Sequence, residues 1–251
     1  MFALMHDLFE EDGLLNSSPS CSVLTQQLEI GTQQQQHSHH LIQDRCFDAF
    51  YYFFFTSQPF VLPKEPFLHL AKETDMSLLI VTMRWIGSLY VEVSSVERDQ
   101  LFQQAITKVH DAHTPRDGFM VQSLMLLTIG IDGQGQQRHA RDLLADAQAL
   151  ALEMKMNAQS FAHTNSRGNP TLAESWRRTW WNLYVTDAMI SGVHRITNFA
   201  LFDVPAQVEI PCEESEYMFG VSHSLLMFAS PMCSHSETEN SSSLDSRGFV
   251  G

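Results

Sequence analysis

The sequence predicts an all-α helical bundle with flexible N- and C-terminal tails. Three observations carry this reading. Apolar residues recur at three- and four-residue steps through the middle of the chain, strand-like alternation is nearly absent, and the composition changes near residues 40 and 220. The chain has 251 residues, 44% of them apolar, which is enough for one sizeable core and too apolar for a wholly disordered protein. The expected divisions are 1–40, 41–220 and 221–251.

Residues 1–40 hold no Lys or Arg and five carboxylates, with a Gln33–Gln36 run and His37, His39 and His40. This is a low-complexity, flexible segment. Its first 15 residues alternate Phe2, Leu4, Leu8, Phe9, Leu14 and Leu15 with acidic side chains. Two readings stand: an activation segment that folds on a coactivator, or a tail that packs back on the bundle. The histidines lack nearby Cys or carboxylate partners and predict no metal site.

Helical spacing begins after Asp75 with Leu78, Leu79, Met83, Ile86 and Tyr90, and continues with Leu101, Ala105, Ile106 and Val109. Asp117 is the expected N-cap of a third helix, Phe119 to Ile129. Asp132-Gly133-Gln134-Gly135 then forms a turn. A fourth helix runs from about Gln137 to Met156, with Ala140, Leu143, Leu144, Ala147, Leu150 and Ala151 on one face. Thr171-Leu172-Ala173-Glu174 has capping-box spacing and opens a long helix to about Val193. The tail, 221–251, is Ser-rich and predicts no core.

The formal charge of −14 argues against broad nucleic-acid or anionic-membrane binding by this chain. No apolar run is long enough to span a membrane. Cys21, Cys46, Cys212 and Cys233 are too far apart for a disulfide framework or a zinc ribbon.

Two segments are distinctive together. One is Phe119-Met120-Val121-Gln122-Ser123-Leu124-Met125-Leu126-Leu127 with the turn and the Ala-rich helix that follow. The other is Glu174-Ser175-Trp176-Arg177-Arg178-Thr179-Trp180-Trp181-Asn182-Leu183-Tyr184, then Asp187. This pair resembles the middle homology region of fungal-specific transcription factors. Tyr51–Phe55 with Pro59–Lys64, and Val208-Glu209-Ile210-Pro211-Cys212-Glu213-Glu214, resemble its flanking pieces. The resemblance covers about residues 41–220.

The resemblance implies transcription regulation in the nucleus through a regulatory bundle. Its implied partners are other transcription regulators or coactivators, with a small-molecule effector also in view. It marks Glu174, Arg177, Arg178, Trp180, Trp181, Tyr184 and Asp187 as the family motif and regulatory-site candidates, and an effector pocket is expected near Arg177, Trp181 and Asp187. Full-length members carry a six-cysteine zinc cluster. These 251 residues lack the cysteine pattern for it, so no cofactor is expected in this chain, and specific DNA is expected only through a missing module or a partner. The family region normally continues past residue 220, so the bundle is expected to be C-terminally incomplete. Val221-Ser222, where the resemblance stops, fits either a translated intron start or a genuine disordered terminus.

The motif residues also have a plain structural reading. Trp176, Trp180, Leu183, Tyr184 and Asp187 fall on adjoining positions of one helix face and would seal it against the bundle. Glu174 and Arg178 are at i, i+4 and can pair for a few tenths of a kcal/mol. Arg177 is expected over Trp181 as a cation–π partner. Asp187 needs a cationic or hydroxyl partner from another helix.

Two further functions stay open. A coregulator or inhibitor without a zinc cluster would act by protein–protein binding. An acyltransferase-like enzyme would use His113 in His113-Thr114-Pro115-Arg116-Asp117-Gly118, an H-x-x-x-D-G match. No second enzyme motif accompanies it, so no catalytic residue is assigned. The glycines at 130, 133 and 135 do not form a dinucleotide loop.

Overall fold

The computed structural model describes residues 41–195 and 198–219. The expectations for 1–40 and for the tail from 221 lie outside the described residues. The described residues are helical throughout, with connecting loops and no strand.

Helix α1 covers 41–49 and passes into a π-helical turn, Phe50–Phe55. The buried connector Phe60, Val61 and Leu62 leads to α2, Lys64–Leu70. Next come α3, Ser77–Ser88, and α4, Ser95–Val109. The start of α4 is set by a reciprocal capping box between Ser94 and Glu97. Tyr90 falls beyond α3, contrary to the periodic reading. It is half exposed and stacks on Phe53, with ring centroids 5.5 Å apart.

Helix α5, Gly118–Gly133, is the centre of the bundle. It is apolar almost all round, so it has no face to offer to water and lies between α3, α6 and α8. Asp117 caps it as expected, accepting from the backbone N–H groups of Phe119 and Met120. The helix extends four residues past Ile129, and the chain turns at Gly135, whose φ of +80° suits glycine. Helix α6, Gln137–Glu153, buries the predicted Ala/Leu stripe against α5. The short α7, Gln159–Asn165, precedes α8, Pro170–Val193.

The capping-box expectation for α8 is corrected. Asn169 is the N-cap and accepts from Thr171 and Leu172, with Pro170 in the first turn. Pro170 has a backbone dihedral suited to the first helical position, so the helix starts one residue before Thr171. Glu174 is thereby free to turn inward. The chain then crosses α8 as a strap, 208–213, and the last element among the described residues is α9, Glu214–Met218.

Close approach of backbones holds α1 on α3. A Cβ at Gly87 would collide with the Cys46 carbonyl and come within 2.9 Å of the Phe50 nitrogen. Only glycine lets these helices approach so closely.

Candidate functional site

The motif on α8 and the strap meet in a buried polar latch. Glu174 faces inward because its neighbours Leu172, Ser175 and Trp176 are buried on the same helix. Its Oε2 accepts from Arg177 Nε at 2.8 Å, and its Oε1 accepts from Arg178 Nε at 3.0 Å and from the Cys212 N–H at 2.9 Å. Arg178 also donates through a terminal nitrogen to the Cys212 carbonyl, 2.6 Å. Residue 212 is therefore gripped through both of its backbone polar groups. Around this centre, Trp181 Nε1 donates to the Glu209 carbonyl at 3.0 Å, and Arg177 approaches the Glu209 carboxylate at 3.5 Å.

The expected stacking partners are corrected. Among the described residues the cation–ring contact is Arg178 over Tyr217, 4.5 Å from the ring centroid. Arg177 is occupied by the two carboxylates. Tyr217 in turn donates its hydroxyl to the Val61 carbonyl at 2.7 Å. Burial pushes its phenol far above the usual range, so it acts only as a neutral donor. The Cys212 thiol is also raised, first by burial and then by the Glu174 carboxylate.

A second network ties the connector after the π-helical turn to α5 and α8. Gln122 Nε2 lies within 3.1 Å of the Phe60 carbonyl, Ser175 Oγ and Thr179 Oγ1. The Ser175 and Thr179 hydroxyls in turn donate hydrogen bonds to the carbonyls of Phe60 and Ser175, respectively. Gln122, Ser175, Thr179 and Tyr217 were absent from the sequence-derived site. The available signal was Gln122 itself, an amide in the middle of an otherwise apolar helix.

The remaining motif residues have separate tasks. Trp180 is fully buried, and its Nε1 has no hydrogen-bond partner among the described residues. Tyr184 is half-buried and packs edge-on against Trp181 and Phe199. Asp187 accepts from the Leu201 N–H at 2.8 Å, with Gln148 and the Ala200 backbone as further donors. These are amides, not the cation or hydroxyl expected from the sequence. Burial raises the Asp187 carboxyl, and the hydrogen bonds only partly oppose it. Arg177 and Trp181 thus serve the strap, while Asp187 serves the 200–201 loop.

The H-x-x-x-D-G hexapeptide is a turn. His113 is almost fully exposed and its Nδ1 lies 3.0 Å from Asp111, while Asp117 is committed to capping α5. Among the described residues no three His, Cys, Asp or Glu side chains are grouped to hold a metal. Cys46 is buried in α1 and Cys212 lies on the strap.

A family model for the fungal specific transcription factor domain matches residues 50–244. The match spans most of the chain and reaches past Gly220. A curated relative, the C6 finger domain transcription factor iacK of Pestalotiopsis fici, is 45% identical over 179 residues. That alignment covers 71% of this chain and 27% of the relative, so the chain spans about a quarter of the relative's length. No solved structure matches. The segments that meet in the latch are those by which the sequence resembles this family, and the chain belongs to the fungal specific transcription factor domain family.

Proposed function

We propose that this chain regulates transcription in the nucleus, through its latched bundle and not through specific DNA contacts of its own residues. The observation that carries the proposal is the family match over residues 50–244, supported by a relative named as a transcription factor. The bundle's part is regulatory: the strap is held by side chains of α8, so two positions of the strap give two surfaces. A partner or small molecule that favours one position shifts the balance by its difference in affinity.

The charge of −14 supports other regulators or coactivators as partners in preference to DNA. Specific DNA then comes through a cysteine cluster elsewhere in a longer product or through a partner's own module. No cofactor is needed for this role, and no catalytic step is assigned.

The test is a reporter assay with the full chain fused to a heterologous DNA-binding module. The expected result is a change in output relative to the module alone, altered again by Glu174→Ala at equal protein level. Identical output from fusion and module would overturn the regulatory reading. Sequence-specific binding of the unfused chain to DNA at physiological salt, with Kd near ~10⁻⁸ M or tighter, would overturn the indirect one.

A further inference from the structure

A cavity of about 200 Å³ lies where the start of α5 meets α7 and the first turns of α8. Its inner wall is aromatic. Phe119, Phe161 and Trp176 line it and are all buried. The Trp176 ring centroid is 4.9 Å from that of Phe119 and 6.2 Å from that of Phe161. Two contacts fix the indole in this place. Its Nε1 donates to the Asn165 carbonyl at 3.2 Å, and its ring fills the space that a Cβ at Gly118 would need.

The same cavity is lined by two charges of opposite sign, Asp117 and Arg167. Asp117 accepts both of its capping N–H groups through Oδ1, which leaves Oδ2 outside the cap. Arg167 is exposed on the link between α7 and α8 and donates through one terminal nitrogen to Thr74 Oγ1 at 2.9 Å. A guanidinium carries further N–H donors in a fork that matches a carboxylate. Burial raises the Asp117 carboxyl and Asp75 adds to the rise, while the capping N–H groups and Arg167 oppose it. An ammonium group beside Oδ2 would offset that desolvation. The charges therefore sit at an accessible rim, and the apolar surface lies beneath them.

Size limits the occupant. The volume equals about seven waters at ~30 Å³ each and is below the ~300 Å³ at which pockets for drug-sized ligands begin. A peptide or a nucleotide is too large. The fork, the carboxylate and the aromatic wall together complement a small molecule with a carboxylate, an ammonium and an apolar body.

We infer that this cavity binds a free α-amino acid with an apolar side chain, its carboxylate on Arg167, its ammonium on Asp117 and its side chain against Phe119, Phe161 and Trp176. The site is independent of what the protein regulates, and its test reads binding alone.

The experiment is calorimetric titration of the full chain with L-leucine, L-methionine and L-phenylalanine. At least one should bind saturably, with Kd of ~1 mM or tighter. Its desamino and decarboxylated forms, and glycine, should each bind at least about tenfold more weakly. Arg167→Gln and Asp117→Asn should each weaken binding by about tenfold, since each removes a hydrogen bond to a charged group. Arg167 is exposed, and Asn caps a helix as well as Asp does, so thermal melting should show both variants folded. Absence of saturable binding by all three amino acids would overturn the proposal. So would equal binding of the desamino or the decarboxylated form, or binding that either variant leaves unchanged. The comparison among ligands uses the unaltered chain and so decides the matter even if a variant fails to fold.

Discussion

Replacing Glu174 by Ala tests whether the latch is a structural keystone or an incidental surface pair. On an exposed helix, a Glu–Arg pair at i, i+4 contributes only a few tenths of a kcal/mol. Here the Glu174 and Arg178 side chains are 5% and 7% exposed. The carboxylate accepts from Arg177, from Arg178 and from the Cys212 N–H. Its removal leaves a buried guanidinium with the Cys212 carbonyl and the Tyr217 ring as its remaining partners, and leaves the Cys212 N–H without an acceptor. Breaking a buried pair in this way costs about 3–5 kcal/mol. For a bundle of this size that lowers Tm by roughly 10 °C. Arg178→Ala should cost a similar amount, and the double variant much less than the sum, with a coupling of at least ~1.5 kcal/mol. Urea unfolding of the four proteins measures this, and limited proteolysis reports release of the strap. A Glu174→Ala loss below ~1 kcal/mol, with the two substitutions additive, would refute the reasoning that burial turns this pair into a structural one.

Gly87→Ala should destabilise by ~3 kcal/mol or more, because its Cβ meets the α1 backbone at Cys46. Gly133→Ala has open space around it and should be neutral or stabilise by up to ~1 kcal/mol; thermal melts compare the two directly. Asp187→Asn should flatten part of the stability–pH profile. The folded carboxyl is raised above its ordinary value by burial, so between the two values the folded state holds more protons than the unfolded one. Stability contributed by this group therefore falls as pH rises through that window and stays low above it. In the Asn variant that fall should disappear in unfolding curves taken across acidic pH, while the Leu201 N–H keeps an acceptor.

The long helices are legible because one physical signal dominates each. Asp117 caps α5, and the Ala/Leu stripe of α6 has a helical period and one buried face. Elements of five to seven residues, α2, α7 and α9, have no such signal. They are too short to be stable by propensity, and tertiary packing decides them. The same holds for the π-helical turn, where Phe50, Phe54 and Phe55 are buried without an α-helical spacing through the whole run. Within the site, all seven motif positions fall on α8 as read, but their partners do not follow from local spacing. Arg177 and Arg178 are ~100° apart around the helix, and only the strap and α9, more than 30 residues on, turn Arg177 to Glu209 and Arg178 to the Cys212 carbonyl and the Tyr217 ring. The start of α8 differs from the capping-box expectation for a simpler reason. Asn169 and Thr171 are both good caps, and Pro170 between them favours the earlier start.

The latch reads the strap through backbone groups, and that sets a last prediction. Glu174 and Arg178 engage the N–H and carbonyl of residue 212, and Trp181 engages the carbonyl of residue 209. The Cys212 side chain is only half-buried, and its contacts with Glu174 and Arg178 add to a grip that the two backbone bonds already make. Cys212→Ala should therefore retain the latch and cost no more than ~1 kcal/mol. Cys212→Pro deletes the N–H that Glu174 accepts and leaves part of a buried carboxylate unsatisfied. A hydrogen bond to a charged group contributes ~1.5–3 kcal/mol, so the Pro variant should lose at least that much more than the Ala variant. Its strap should also be cut faster by protease. Equal losses in the two variants would mean that the side chain holds the strap and that the backbone grip is incidental. A clear difference would mean that strap position is specified by α8, with the exposed Ile210 and Glu213 side chains available to meet a partner.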